Sequence, residues 1–260
     1  MCDTCGCAIT PGTEHVVEVV NAATGVHAVE VLDRLLEAND HQAKHNREHF
    51  DRAGVLGINL MSSPGSGKTT LLEKTRDLLP PELRVAVVVG DLETERDADR
   101  LRKAGIEAVQ ITTGNACHLD AHMVHRALHH LDLDGLDVVF IENVGNLVCP
   151  ASFDLGQHLN VTLLSCTEGD DKPSKYPVMF RTADLVLLTK SDLLEVLDDF
   201  DPGEAERCIR ALAQACPVLS VSSRRDGGLS TWRTWLLEEL AAFRNRLQTQ
   251  TRAQPLSTHS

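Results

Sequence analysis

The residues with the most definite chemistry are Ser62-Ser63-Pro64-Gly65-Ser66-Gly67-Lys68-Thr69, set between an apolar run at 55–61 and a helical pattern that opens at Thr70. A strand, a small-residue loop and a helix start form a phosphate cradle, in which backbone N–H groups wrap the anion and the helix N-terminus adds partial positive charge. Gly65, Ser66, Gly67 and Thr70 belong to that cradle, Lys68 would reach the β/γ-phosphates, and Thr69 would offer its hydroxyl to Mg²⁺. Ser62 stands where the first glycine of G-x-x-x-x-G-K-[ST] is usual. The plainer alternative, a glycine-rich turn before a helix, leaves Gly-Lys-Thr unexplained.

Two carboxylates follow at the ends of further apolar runs. Val85-Ala86-Val87-Val88-Val89-Gly90-Asp91 reads as a buried parallel strand that delivers Asp91 to its carboxyl end, where open α/β sheets bind ligands. Asp91 is a candidate for the Mg²⁺ side of the site, with Thr94 and Asp97 heading a helix over 96–103; a simple helix cap is the alternative. Val138-Val139-Phe140-Ile141-Glu142-Asn143-Val144-Gly145 ends in Glu-x-x-Gly, a carboxylate for the Mg²⁺ shell or the attacking water, then a glycine able to follow the γ-phosphate. Thr189-Lys190-Ser191-Asp192 differs at Thr189 from the Asn-Lys-x-Asp that reads guanine. Asp192 can accept from the guanine N1–H and N2–H₂ while the Lys190 stem covers the ring. Thr189 replaces a bracing asparagine, which predicts weaker nucleotide binding, and Ser222 or Ser223 is placed to offer a backbone N–H to the guanine O6.

Thiolates form a second theme. Cys2, Cys5 and Cys7 are three of eight cysteines, close enough to wrap one soft or borderline cation, with Gly6 allowing a tight fold. The alternative is a terminus without a role, which would leave exposed thiols open to oxidation. Cys117 and His118 follow one apolar run and Cys149 follows the next, so they either converge on a soft site beside the nucleotide or fill the interior as small residues. His41, His45 and His49 recur every four residues, and His122, His125 and His129 continue at helical spacing. The polar neighbours of the first stripe predict a solvated helix face rather than ligands.

The elements that must position these groups alternate between apolar runs and helical patterns, which predicts an α/β fold with a mostly parallel P-loop GTPase sheet, helices on both faces, and a metal-binding N-terminal extension. Within 260 residues, 1–26 read as a Cys-cluster tail and tether, 27–53 as a helix, 54–247 as the GTPase domain, and 248–260 as a disordered polar tail. With 38 acidic against 25 basic side chains the net charge is −13, which argues against a nucleic-acid partner. There is no apolar run long enough to span a membrane and no signal-peptide pattern, so a cytoplasmic protein is expected.

With these pieces in order, the sequence resembles the nickel-incorporation GTPases of [NiFe]-hydrogenase maturation, the HypB family of SIMIBI-class P-loop GTPases. The match rests on Cys2-x-x-Cys5-x-Cys7, the phosphate loop, Gly114-Asn115-Ala116-Cys117-His118-Leu119-Asp120-Ala121-His122, Glu142-Asn143-Val144-Gly145-Asn146-Leu147-Val148-Cys149-Pro150 and Lys190-Ser191-Asp192. The resemblance implies GTP hydrolysis with Mg²⁺, a homodimer formed with GTP, and one metal at Cys2, Cys5 and Cys7. It also implies a second metal between protomers at Cys117, His118 and Cys149. Nickel is the implied cargo, zinc fits either thiolate site, and the implied partners are other hydrogenase maturation proteins and the hydrogenase large subunit. Lys68, Asp91 and Glu142 are the expected catalytic residues. The alternatives are a urease-type accessory GTPase, a small-molecule P-loop phosphotransferase, or a metal-storage protein with a vestigial nucleotide site.

Overall fold

Short runs of Val, Leu and Ile become strands because their side chains can be buried on both faces of a sheet at once. The computed structural model describes residues 26–92, 95–114, 116–225 and 227–253, with side chains between residues 35 and 250 of those stretches. Among the described residues there are seven strands, β1 (Leu56–Ser62), β2 (Val85–Asp91), β3 (Glu107–Thr112), β4 (Val138–Glu142), β5 (Leu159–Ser165), β6 (Leu185–Thr189) and β7 (Val218–Ser220). They form one sheet in the order β3-β2-β4-β1-β5-β6-β7, every neighbouring pair parallel. Parallel pairing sends every carboxyl end to the same edge, which gathers Ser62, Asp91, Glu142, Ser165 and Thr189 from distant parts of the chain. Strand β7 is shorter than the apolar run predicts. The Ser222 N–H leaves the ladder to donate to the Gly227 carbonyl at 2.8 Å, so the chain turns away.

Helices cover both faces. On one side α2 (Lys68–Leu78) and α8 (Leu229–Ala253) enclose Leu56, Ile58, Leu60, Phe140 and Trp232. Trp232 is fully buried, and its indole N–H donates to Thr75 Oγ1 at 2.8 Å, which pins α8 to α2. The expected end of α8 at Leu247 is corrected: the helix continues to Ala253, with Thr249 Oγ1 donating to Asn245 O at 2.9 Å. A nucleated helix adds residues at little cost, so it can outrun its last core contact. Helix α3 (Arg96–Lys103) follows β2 over the span the sequence suggests.

On the opposite face lie α1 (Val26–Ala53) and α4 (Ala121–Leu128). The Phe50 ring of α1 sits against β1, and a Cβ at Gly57 would lie 3.0 Å from it, so glycine there allows the helix its close approach. Two buried amides then stitch α1 in place. Asn46 Nδ2 donates to Ala121 O at 2.8 Å and Leu155 O at 3.0 Å, while Asn39 Nδ2 donates to Asp154 O at 2.8 Å. Asp120 caps α4 by accepting from the Met123 N–H at 2.7 Å. Beyond β5 the chain forms two short helices, α5 (Lys172–Lys175) and α6 (Pro177–Arg181), and α7 (Pro202–Leu212) packs against them. Among the described residues no helix is long and apolar enough to cross a membrane.

Replacing Trp232 with alanine should lower unfolding stability by about 3–5 kcal/mol, from lost burial and the cavity left behind. Urea denaturation should read this as a lower midpoint at unchanged slope.

Candidate functional site

The loop between β1 and α2 carries Gly65 at φ +75° and Gly67 at φ +99°, backbone angles that glycine alone adopts without strain. Lys68 is buried at the start of α2, and its ammonium donates to Ser62 Oγ at 2.8 Å. Burial pushes the Lys68 pKa down, against the opposing pull of Glu142, Asp97, Glu168 and Asp91. Thr69 Oγ1 donates to Glu142 Oε1 at 2.8 Å, so the hydroxyl and carboxylate expected to share a cation lie side by side. The second carboxylate oxygen, Glu142 Oε2, is buried without a partner. Burial drives the Glu142 carboxyl up from 4.5 to about 7, with Lys68 and the Thr69 hydroxyl opposing. Asp91 lies two residues beyond Val89, the register partner of Glu142 on the neighbouring strand, so the two carboxylates share a sheet face. The Thr70 hydroxyl accepts from Arg100 Nη2 at 3.1 Å.

On the other flank, Lys190 takes a left-handed conformation (φ 57°) that swings Ser191 and Asp192 into a single helical turn. Asp192 Oδ1 accepts from Ser222 Oγ at 2.6 Å, and this bond holds the carboxyl below its usual range. The Ser222 backbone N–H is committed to Gly227 O, which corrects the expectation that it offers this group to a base. Ser222 instead organises its loop, its hydroxyl accepting from the N–H groups of Arg224 and Arg225 at 3.2 and 3.1 Å. Thr189 is not a missing brace: its hydroxyl donates to Ser66 O at 2.7 Å and ties the two loops together.

The cysteines after separate strands do meet. Cys117 Sγ and Cys149 Sγ are 3.0 Å apart, His118 Nδ1 is 3.8 Å from Cys117 Sγ, and the three side chains can offer ligand atoms within 4.8 Å of one another. His118 is buried and stacked on Phe153 with ring centroids 4.0 Å apart, and burial lowers its pKa, favouring the neutral imidazole that binds metal. Cys2, Cys5, Cys7, Thr94 and Asn115 lie outside the described residues.

The segment after β4 touches both sites. A Cβ on Gly145 would lie 2.8 Å from the backbone of Pro64, so this turn rests directly on the phosphate loop. Asn146 donates its backbone N–H to Ser62 O at 2.8 Å and its side-chain amide to Cys117 O at 3.3 Å. Asn143 Oδ1 accepts from the N–H groups of Leu119 and Val144 at 3.1 and 3.0 Å. The sequence places these asparagines in the run that carries the resemblance but gives them no role of their own, and it does not single out Glu168. Its Oε1 accepts from Ser66 Oγ at 2.6 Å and from Ser165 N at 3.2 Å, and its Oε2 is buried without a partner. The available signal for Glu168 was a carboxylate just past a strand end, the pattern that picked out Asp91 and Glu142.

Residues 56–219 match the family model described as CobW/HypB/UreG, nucleotide-binding domain. The chain is 50% identical over 218 residues to the hydrogenase maturation factor HypB of Azotobacter chroococcum, covering 82% of this chain and 70% of that one. It is 44% identical over 215 residues to the hydrogenase/urease maturation factor HypB of Helicobacter pylori, covering 81% and 88% respectively. A crystal structure of Helicobacter pylori HypB in complex with nickel is similar with a TM-score of 0.75 at 43% identity, covering 86% of this chain and 99% of that chain.

A carboxyl whose folded pKa is raised favours folding fully below about 4.5 and loses that contribution as pH climbs through about 7. Without nucleotide or Mg²⁺, this carboxyl by itself should therefore withdraw on the order of 1–3 kcal/mol between about pH 5 and pH 8, while His49, His118, His125 and His158, whose pKa values burial lowers, add stability as pH rises through the lower part of that window. Glu142→Gln should lose less over the same window, and identical pH dependence in denaturant titrations of the two proteins would refute the assignment.

Proposed function

The chain belongs to the HypB family of hydrogenase maturation factors, and on that premise we propose that it is a GTP-hydrolysing nickel metallochaperone whose nucleotide state sets metal retention and release. The observation that carries this reading is Asn146, which bonds the phosphate loop through its backbone and the Cys117 carbonyl through its side chain. A γ-phosphate that draws in the turn at Gly145 moves the same segment that ends in Cys149. Hydrolysis then relaxes that segment and alters the thiolate geometry.

GTP is the substrate. The cradle formed by Gly65, Ser66, Gly67, Lys68, Thr69 and Thr70 binds its phosphates through backbone N–H groups, and Lys68 takes the β/γ oxygens. Asp192, kept ionised by Ser222 Oγ, accepts from the guanine N1–H and N2–H₂, which adenine cannot supply. This pairing favours a GTPase over a small-molecule phosphotransferase, and preference for GTP over ATP is its direct check. Thr69, Glu142 and Asp91 fit Mg²⁺, since they are hard oxygen donors on one edge and Glu142 Oε2 lacks any other partner. When bound, Mg²⁺ would neutralise charge on the phosphates. Lys68, Asp91 and Glu142 are the catalytic residues of this reading.

Cys117, His118 and Cys149 supply two thiolates and an imidazole, a donor set for Ni²⁺ or Zn²⁺ and a poor one for Mg²⁺. Three ligands from one chain leave a place for water or for a second copy, consistent with a GTP-dependent homodimer. Cys2, Cys5 and Cys7 form a separate chelate in this scheme, and the protein works in the cytoplasm. The recipients would be other maturation proteins and the hydrogenase large subunit, and the double name of the Helicobacter pylori relative makes urease the second recipient to test.

With Mg²⁺ present, the Ni²⁺ affinity of the Cys117/Cys149 site should differ at least about tenfold between GDP and a non-hydrolysable GTP analogue. Equal affinities would sink the proposal. Asn146→Ala should leave each ligand bound while shrinking that ratio, and Lys68→Ala should abolish turnover.

A further inference from the structure

Apart from the thiolate group, one other cluster of metal-binding side chains stands out among the described residues. His45 and His49 of α1 meet His125 of α4, with ligand atoms all within 4.8 Å of one another. The ring centroids of His45 and His49 are 4.8 Å apart, and each lies 5.5 Å from that of His125. His129 completes the border, its Nε2 3.1 Å from His125 Nε2. The sequence predicts a solvated face for the first stripe; His45 is exposed and His49 half-buried, and what the spacing does not show is that both lie against His125 of another helix. The buried Asn46 amide draws α1 against α4, so two separate i, i+4 pairs face each other across the helix contact.

Asn46 also decides which nitrogen of His125 is available. Its amide nitrogen donates to Ala121 O and Leu155 O, so Asn46 cannot flip without setting oxygen against two carbonyls. Asn46 Oδ1 must therefore accept from His125 Nδ1, 3.0 Å away, which leaves the lone pair of the neutral ring on Nε2, facing His129. An imidazole held through its outer N–H by a fixed oxygen is the arrangement that orients metal-bound histidines. Donors about 2.0–2.1 Å from one tetrahedral ion lie roughly 3.3–3.4 Å apart, close to the His125–His129 separation. Beside the cluster is a cavity of about 280 Å³ bordered by His49, His125, His129, Asp132 and Asp134, open to loading from solvent.

We propose that His45, His49, His125 and His129 form a further, all-imidazole site for a first-row divalent cation such as Ni²⁺ or Zn²⁺, sharing no ligand with the Cys117/His118/Cys149 site or with Cys2, Cys5 and Cys7. An imidazole donor set suits these ions and does not suit Mg²⁺ or Ca²⁺. Burial and the neighbouring imidazoles lower the pKa of His49 and His125, so these rings are available in the neutral form. A bound cation would clamp α1 onto α4, the helix that follows Cys117 and His118.

The test is equilibrium dialysis of the full-length protein against Ni²⁺ alone, comparing wild type with His45→Ala/His129→Ala and His49→Ala/His125→Ala. The first pair involves exposed rings, so its fold, checked by circular dichroism, should survive even if removing His125 disturbs Asn46. Both variants should bind about one Ni²⁺ fewer per chain while the sulfur-to-nickel charge-transfer absorption keeps its amplitude. Cys117→Ser/Cys149→Ser should show the converse, losing that site's share of the absorption, with only the share of Cys2, Cys5 and Cys7 remaining, but retaining the histidine equivalent. Unchanged stoichiometry in the folded His45→Ala/His129→Ala protein would overturn the site, as would loss of the charge-transfer band with it. Failure of nucleotide coupling at the thiolates would leave this result untouched.

Discussion

Between Glu142 and Cys149 the backbone has to satisfy two neighbours at once. Its N–H groups at Asn143 and Asn146 donate to Leu60 O and Ser62 O, which continues the line of β1 into the phosphate loop. Its side chains at Asn143 and Asn146 reach the other way, to Leu119 N and Cys117 O. Buried backbone polar groups must keep partners, so this segment cannot move on one side without disturbing bonds on the other. Gly145 permits the contact at its tightest point, where any side chain would collide with Pro64.

The same edge of the sheet stores unfavourable burial. Lys68, Thr69, Glu142 and Glu168 crowd together with two carboxylate oxygens lacking partners, and an orphaned buried acceptor costs about 1–3 kcal/mol. Such groups are tolerated where a ligand satisfies them, and the charges here match a cation held against phosphate. Across the sheet, α1 and α4 solve the opposite problem. The two buried amides of α1, Asn39 and Asn46, each bond through both nitrogen and oxygen, and that contact brings the histidines of both helices to one place.

Thr189 and Ser222 show how a departure from a pattern can be absorbed. A threonine hydroxyl is shorter than an asparagine amide, yet β6 runs close enough to the phosphate loop for it to reach Ser66 O. Ser222 lies at a position suited to a base contact by sequence order, but its N–H closes a bridge with Gly227 and its hydroxyl buttresses Asp192. Only the path of the chain reveals which of a residue's groups is already committed.

The phosphate loop, the strand-end carboxylates Asp91 and Glu142, and the Lys190–Asp192 turn were legible in the amino-acid sequence because each depends on neighbours in the chain: a buried apolar run, then a residue type with one chemistry. The parallel sheet and the helix starts follow from the same short-range periodicities. Strand order, the meeting of Cys117 with Cys149, the roles of Asn143, Asn146 and Glu168, and the opposed histidines of α1 and α4 were decided only in three dimensions. Those contacts join residues far apart in the chain, and they are selected by which faces pack together and which buried polar atoms must be satisfied, constraints that local spacing does not encode.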